Sequence, residues 1–285
     1  HMLKPFDIRV KATYDYLLCS VEFCNENNRK IKITRTAHKQ AIAKVKSYPI
    51  DWEVDKYDLT QMQFNGYEYG YNKSKITGED RLYYDRTKPV TKTMFYLGTM
   101  LETKRMTKPT AYILRRGFTE VEDRLRWNGV QMQELTQDST IQVISSRILS
   151  YETKKEPYEK HYLHYNTTTV ADTISWTFRK GDYLIPMGTN KDRFILETLE
   201  PEGPDSYFNW NFFDAILQQK EHYSAYVFED RAAELLEKDA EFKADFELMK
   251  QSKDSITPQE QLSWIYKNSP HYEKEYNRLP VFKVY

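Results

Sequence analysis

No stretch of the sequence approaches 18 consecutive apolar residues, and the mean hydropathy is −0.78, so a helical membrane span is not expected. Charge of one sign is not in excess either. The 42 basic residues are matched by 42 acidic ones. A general nucleic-acid binder needs a basic face, and a polybasic anchor needs a run of like charge; the sequence offers neither. Cysteine is scarce. Cys19 and Cys24 are the two present. On a helix, residues five apart point about 140° away from each other, too far round to be bridged. Both read as buried helix residues rather than as a redox or metal pair. The common catalytic spacings are missing: His-x-x-Glu, His-Glu-x-x-His, Cys-x-x-Cys, Gly-x-Ser-x-Gly and a phosphate-cradling glycine loop. No basic-then-apolar signal segment is visible, so an export signal would lie outside this chain.

What is present suffices for a core. Apolar residues make up 40% of the 285, and aromatics 15%. That length allows one large or two ordinary domains. Residues 4–28 have the spacing of an amphipathic helix. Phe6, Val10, Tyr14, Leu17, Val21 and Cys24 recur in steps of three and four, with Pro5 suited to a first turn. Ala37, Ala41 and Val45 suggest a second helix, against the strand-like alternation of Lys30 to Ile33.

From Tyr48 the texture turns to strand. Tyr67, Tyr69 and Tyr71 alternate with Glu68 and Gly70, and Ile174, Trp176 and Phe178 with Ser175 and Thr177. Met94–Leu101 and Ile141–Ile148 are further strands. Within this region lies a βαβ unit: a strand over 110–115, a helix over 119–127 and a strand over 130–135. Thr119 and Glu122 are spaced for a capping box, and Gly129 for a stop. Pro204-Asp205-Ser206 reads as the start of a buried helix over 207–218. Further helices are expected over 231–238, 240–251 and 258–267, then a last extended segment over 278–282. The expected fold class is α+β. It comprises an N-terminal helix or helix pair (1–47), a β-rich middle (48–200) and a helical C-terminal part (201–285) packed on it through Phe208, Trp210, Phe212 and Phe213.

Two groups of side chains invite a chemical role. His161 and His164 would share a helix face and make half a metal site, but their segment reads as a strand, where residues three apart face opposite ways. Glu68, Tyr67, Tyr69, Tyr71, Tyr83, Tyr84 and Asp85 combine rings with carboxylates, as a sugar-binding cleft does. The plainer reading is a half-wet sheet face on which tyrosine packs its ring and keeps its hydroxyl solvated.

One stretch is distinctive: Leu199 to Asp214, continued by Leu217-Gln218-Gln219-Lys220-Glu221 and Tyr226-Val227-Phe228-Glu229-Asp230. It resembles the C-terminal region of a bacterial branch of the zinc carboxypeptidases, the carboxypeptidase A-like family, with Asp205, Trp210, Phe212, Phe213 and Glu229 in matching places. Gly181–Pro186 and Ile265–Pro270 resemble the same region. The opening His1-Met2-Leu3-Lys4-Pro5-Phe6 is similar to the segment just after the catalytic glutamate in that family, so His1-Met2 is either native or a cloning remnant. In such a family zinc has three protein ligands and a water, and the glutamate acts on that water as general base. None of the residues here matches the ligands, the glutamate or the substrate-carboxylate arginine, so the resemblance assigns no catalytic or metal residue.

The resemblance therefore implies a non-catalytic accessory fragment of a metallocarboxypeptidase. Its partner would be the catalytic domain of the same protein, with zinc held there and peptides as substrates. It would either support that domain or limit access to it, in a periplasmic or secreted setting. Two alternatives remain open. One is a glycan- or peptidoglycan-binding module on the tyrosine-rich face, and the other an independent enzyme using an unrecognised carboxylate pair.

Overall fold

The structure, a computed structural model, describes residues 5–252 and 255–285. The start of the first expected helix at Lys4 and the opening His1–Lys4 lie outside the described residues. The fold is α+β, with seven α-helices and ten strands among the described residues. The chain divides into two compact units. Ser47–Thr107 is one, and the residues on either side of it make the other.

The N-terminal helix pair is α1, Phe6–Glu26, and α2, Asn28–Ile42. Pro5 sits just before α1, where its missing N–H is not needed. The Asn27 side chain donates to the Phe23 carbonyl at 2.9 Å and closes α1. Lys30 to Ile33 are helical. Their alternation has no neighbouring strand to pair with, and a helix satisfies the backbone by itself. Neither helix has a buried residue.

The Ser47–Thr107 unit holds four strands: β1 Ser47–Val54, β2 Thr60–Lys73, β3 Asp80–Tyr96 and β4 Met100–Thr107. β1 pairs with β4 and β2 with β3, both antiparallel. The expected strand over 94–101 is two strand ends, broken at Leu97–Thr99.

The other unit is built on a six-stranded sheet. Its strands are β5 Ala111–Leu114, β6 Gln133–Glu134, β7 Ser139–Thr153, β8 His164–Phe178, β9 Tyr183–Pro186 and β10 Arg278–Val284, in the order β6-β9-β5-β10-β7-β8. Alternation sends Tyr112, Leu114, Ile185, Leu279 and Val281 to one face and Ile113, Val143, Phe178 and Phe282 to the other. The first face is covered by α3, Thr119–Trp127, and α4, Asp192–Leu199, through Val121, Leu125, Ile195 and Leu199. Helices α5 Ala225–Lys238, α6 Ala240–Gln251 and α7 Pro258–Lys267 form a separate cluster around Phe228, Phe246 and Ile265.

Several expectations change. The βαβ unit is split, because β9 lies between β5 and β6 and is antiparallel to both. Its second strand shrinks from 130–135 to Gln133–Glu134. Thr119 is the first helical residue rather than a cap. Glu122 Oε1 instead accepts from the Gly117 N–H at 3.0 Å. The helix expected over 207–218 is absent: the segment is a series of turns closed by one short 3-10 helix, Asp214–Leu217. Side chains outcompete the helical backbone there. Ser206 Oγ donates to the Pro201 carbonyl and accepts from Asn209 N, and Asn209 Nδ2 donates to the Gly203 carbonyl at 2.7 Å. Asn211, at φ +67°, then breaks any right-handed run. The burial expected of the segment holds for Phe208 and Phe213, while Trp210 and Phe212 are half-buried. Helix α4 was not expected. Residues 201–285 hold helices α5 to α7 and also β10, which lies between β5 and β7 in the sheet.

Candidate functional site

The tyrosine-rich residues lie on the β2–β3 hairpin. Its register opposes Tyr69 to Tyr84, Tyr71 to Leu82, Gly70 to Tyr83 and Glu68 to Asp85. Opposed residues share a face, and neighbours along a strand do not. Tyr67, Tyr69, Tyr71 and Tyr84 therefore lie on one face, all exposed. The Tyr69 and Tyr71 rings meet edge to face at 6.2 Å. Glu68, Tyr83 and Asp85 lie on the opposite face. The Tyr83 ring packs over Gly70, so close that a Cβ there would come within 2.9 Å of it. Asp85 is engaged in its own turn. The Thr87 hydroxyl and backbone N–H bond to its carboxylate and hold its pKa below the usual range. The hairpin thus presents a ladder of rings on one face, with Asp80, opposed to Lys73, at its end, and Glu68 and Asp85 on the other face.

The segment of the two histidines is not the continuous strand expected: β8 begins at His164, and His161 forms an isolated bridge with Tyr158. His161 packs against Trp210 and Phe212, with ring centroids 5.6 and 5.1 Å apart. His164 is buried where β8 begins. Its Nδ1 is 2.9 Å from Thr153 Oγ1, and its Nε2 is 3.0 Å from Asp214 Oδ1. With the proton on Nε2, the imidazole donates to Asp214 and accepts from Thr153. A hydroxyl, an imidazole and a carboxylate in series make a relay able to move a proton. It also ties the β7 and β8 ends to the turns around residue 211, because Asp214 Oδ1 and Asn211 Nδ2 both approach His164 Nε2, at 3.0 and 3.2 Å. Sequence reasoning missed Asp214 as the partner of His164. The two are fifty residues apart, and no local pattern links them. Among the described residues, no group of three or more His, Cys, Asp or Glu side chains is placed to hold a metal ion.

Helix α1 is a second exposed apolar element. The expected stripe, Phe6, Val10, Tyr14, Leu17, Val21 and Cys24, is exposed throughout. Phe6 is 73% exposed, Leu17 56% and Val21 66%. Nor is it a single stripe. Ile8, Tyr16 and Phe23 are exposed as well and lie on the other side of the helix at 100° per residue. A helix apolar on both sides belongs inside a core. Cys19 and Cys24 are exposed and free, not buried. The correction has the same cause, because nothing among the described residues covers α1.

No family model, curated protein or solved structure matches the chain. Of the five residues singled out by the resemblance, four fall in one place, the turns of 205–213. Trp210 Nε1 donates to Asp205 Oδ1 at 3.3 Å. Phe213 is fully buried in the main core. Phe212 lies under the Arg124 guanidinium at 4.1 Å. Glu229 lies apart, exposed on α5. Among the described residues, no helix is long and apolar enough to cross a membrane.

Proposed function

We propose that this chain is a non-catalytic accessory part of a zinc carboxypeptidase-like protein, and that α1 packs against the catalytic body. The observation that carries it is α1 itself. Its 21 residues have large apolar side chains on both sides and no buried position. Exposed apolar area of that extent marks an interaction surface. The resemblance gives the reason for the cover, since it aligns α1 with the last helix of a catalytic domain. The turns of 205–213 support the same reading. They are packed between sheet and helices, as a structural element would be, rather than open around a substrate. Zinc, the general base and peptide cleavage at the C-terminus belong on this proposal to the catalytic body, in a periplasmic or secreted protein. The role of this chain is to support that body or to limit which peptides reach it.

The test is zinc content together with release of C-terminal amino acids from peptides. It compares this chain with a form extended at its N-terminus to include a zinc-ligand segment. Metal and release in the extended form alone support the proposal. Stoichiometric zinc and turnover in the present chain contradict it.

A second reading rests on the exposed ladder of Tyr67, Tyr69, Tyr71 and Tyr84, which suits stacking on sugar rings. Titration with glycan or peptidoglycan fragments decides it. A saturable signal lost on replacing Tyr67, Tyr69 and Tyr71 favours a binding module, and no signal at millimolar ligand removes it.

A further inference from the structure

At the start of β10 lies a buried guanidinium that has no ion-pair partner among the described residues. Arg278 is 7% exposed. Its Nη1 donates to Ser145 Oγ, and its Nε donates to the Lys274 carbonyl at 2.8 Å. A guanidinium has five N–H donors, so three remain. Among the described residues, no carboxylate is at ion-pair distance from it, and Asp172 and Glu275 act on it only through space. Arg147 lies opposite on β7, its Nε buried and without a partner. Arg115 and Arg278 both lie over the Trp176 ring, at 5.8 and 5.2 Å. Positive charge gathered and desolvated in this way is costly unless an anion meets it. The cost is visible in Arg278, whose pKa burial pushes down to about 10, with the charge of Arg147 adding to the shift.

A cavity of about 170 Å³ opens beside Arg278. Arg115, Arg116 and Lys220 complete its cationic wall, and Phe118, Ile216 and Pro280 give it an apolar one. Glu273 and Glu275 also line it. Glu273 Oε2 already accepts from the backbone N–H groups of Lys220 and Glu221. Glu275 Oε1 is 3.5 Å from Arg115 Nη1, a loose contact. Four cations against two carboxylates leave the wall positive. The volume equals that of about six waters, enough for a short organic acid.

We propose that this cavity binds a small monocarboxylate, its head held by Arg115 and Arg278 and its apolar stem against Phe118, Ile216 and Pro280. A planar carboxylate matches the guanidinium fork in bidentate fashion. A phosphate would bring a second negative charge toward Glu273 and Glu275. The site lies outside the accessory role proposed above and does not depend on it.

Calorimetric titration of the full chain with butyrate, acetate and inorganic phosphate tests the assignment. Butyrate binds saturably, acetate more weakly, and phosphate does not saturate. Arg115→Gln weakens butyrate roughly tenfold or more, the size of one lost hydrogen bond to a charged group. Glu275→Gln removes the competing carboxylate and tightens butyrate. Both positions are partly or fully exposed, and a melting curve verifies that each variant stays folded. Butyrate that does not saturate, or that binds equally well to Arg115→Gln, overturns the proposal. Saturable phosphate in place of butyrate overturns the carboxylate assignment.

Discussion

Phe208 and Trp210 are two residues apart in the same run of turns, yet they differ in weight. Phe208 is fully buried and packs on the His164 and Tyr151 rings. Trp210 is half-buried, with its Nε1–H on Asp205 at the edge of the molecule. Phe208→Ala should therefore cost about 3–5 kcal/mol. Trp210→Ala should cost less, about 1–2 kcal/mol, because part of its surface is already in water. Urea midpoints of the two variants check this, and equal losses would show that Trp210 is core after all. Tyr207 gives a pH prediction. Burial keeps its hydroxyl neutral and pushes its pKa up to about 12, against about 10 unfolded. The stability tied to this raised value is whole below about pH 10 and lost as the pH climbs toward 12. Arg278, pushed down instead, changes stability in the opposite sense over an overlapping range. The informative quantity is thus the difference from Tyr207→Phe. Over that window the unsubstituted chain should lose stability relative to the variant, and parallel pH profiles would contradict the assignment.

Among the elements, helix α7 has a fully formed start. Pro258 occupies its first turn. Thr257 Oγ1 accepts from the Glu260 N–H, while Glu260 Oε2 accepts from the Thr257 N–H at 2.9 Å. Thr257→Ala should cost about 1 kcal/mol, read from a melting curve. No measurable shift would mean that this helix end frays in solution. Helices α3, α6 and α7 were legible because their apolar spacing and stops are local. The buried turns of 207–217 were not. Phe208, Trp210, Phe212 and Phe213 give a helical spacing, but Ser206, Asn209 and Asn211 take the backbone elsewhere through bonds that reach to Pro201, Gly203 and Tyr162. Helix α4 does carry a local signal: Ile195, Leu196 and Leu199 at helical spacing behind Asp192, whose carboxylate accepts from the N–H groups of Gly188 and Thr189. The segment 278–282 read as extended, and β10 is a strand there. Its place between β5 and β7 was hidden, since its partners lie more than a hundred residues away.

For the whole molecule, the question is what α1 packs against. The tyrosine ladder could be read as a strand face, and its division from Glu68 follows from period two, while that from Asp85 also needs the β2–β3 register. The pairing of His164 with Asp214 and the gathering of Arg115, Arg147 and Arg278 required the tertiary fold. The apolar spacing of α1 was legible too, but what it faces is not encoded in the helix. The central claim is that α1 packs against a catalytic body. Hydrogen exchange of the α1 amides, in this chain and in the N-terminally extended form, tests it most directly. Strong protection of residues 6–26 in the extended form, with fast exchange in the present chain, is the predicted result. Equal exchange in both forms would contradict it.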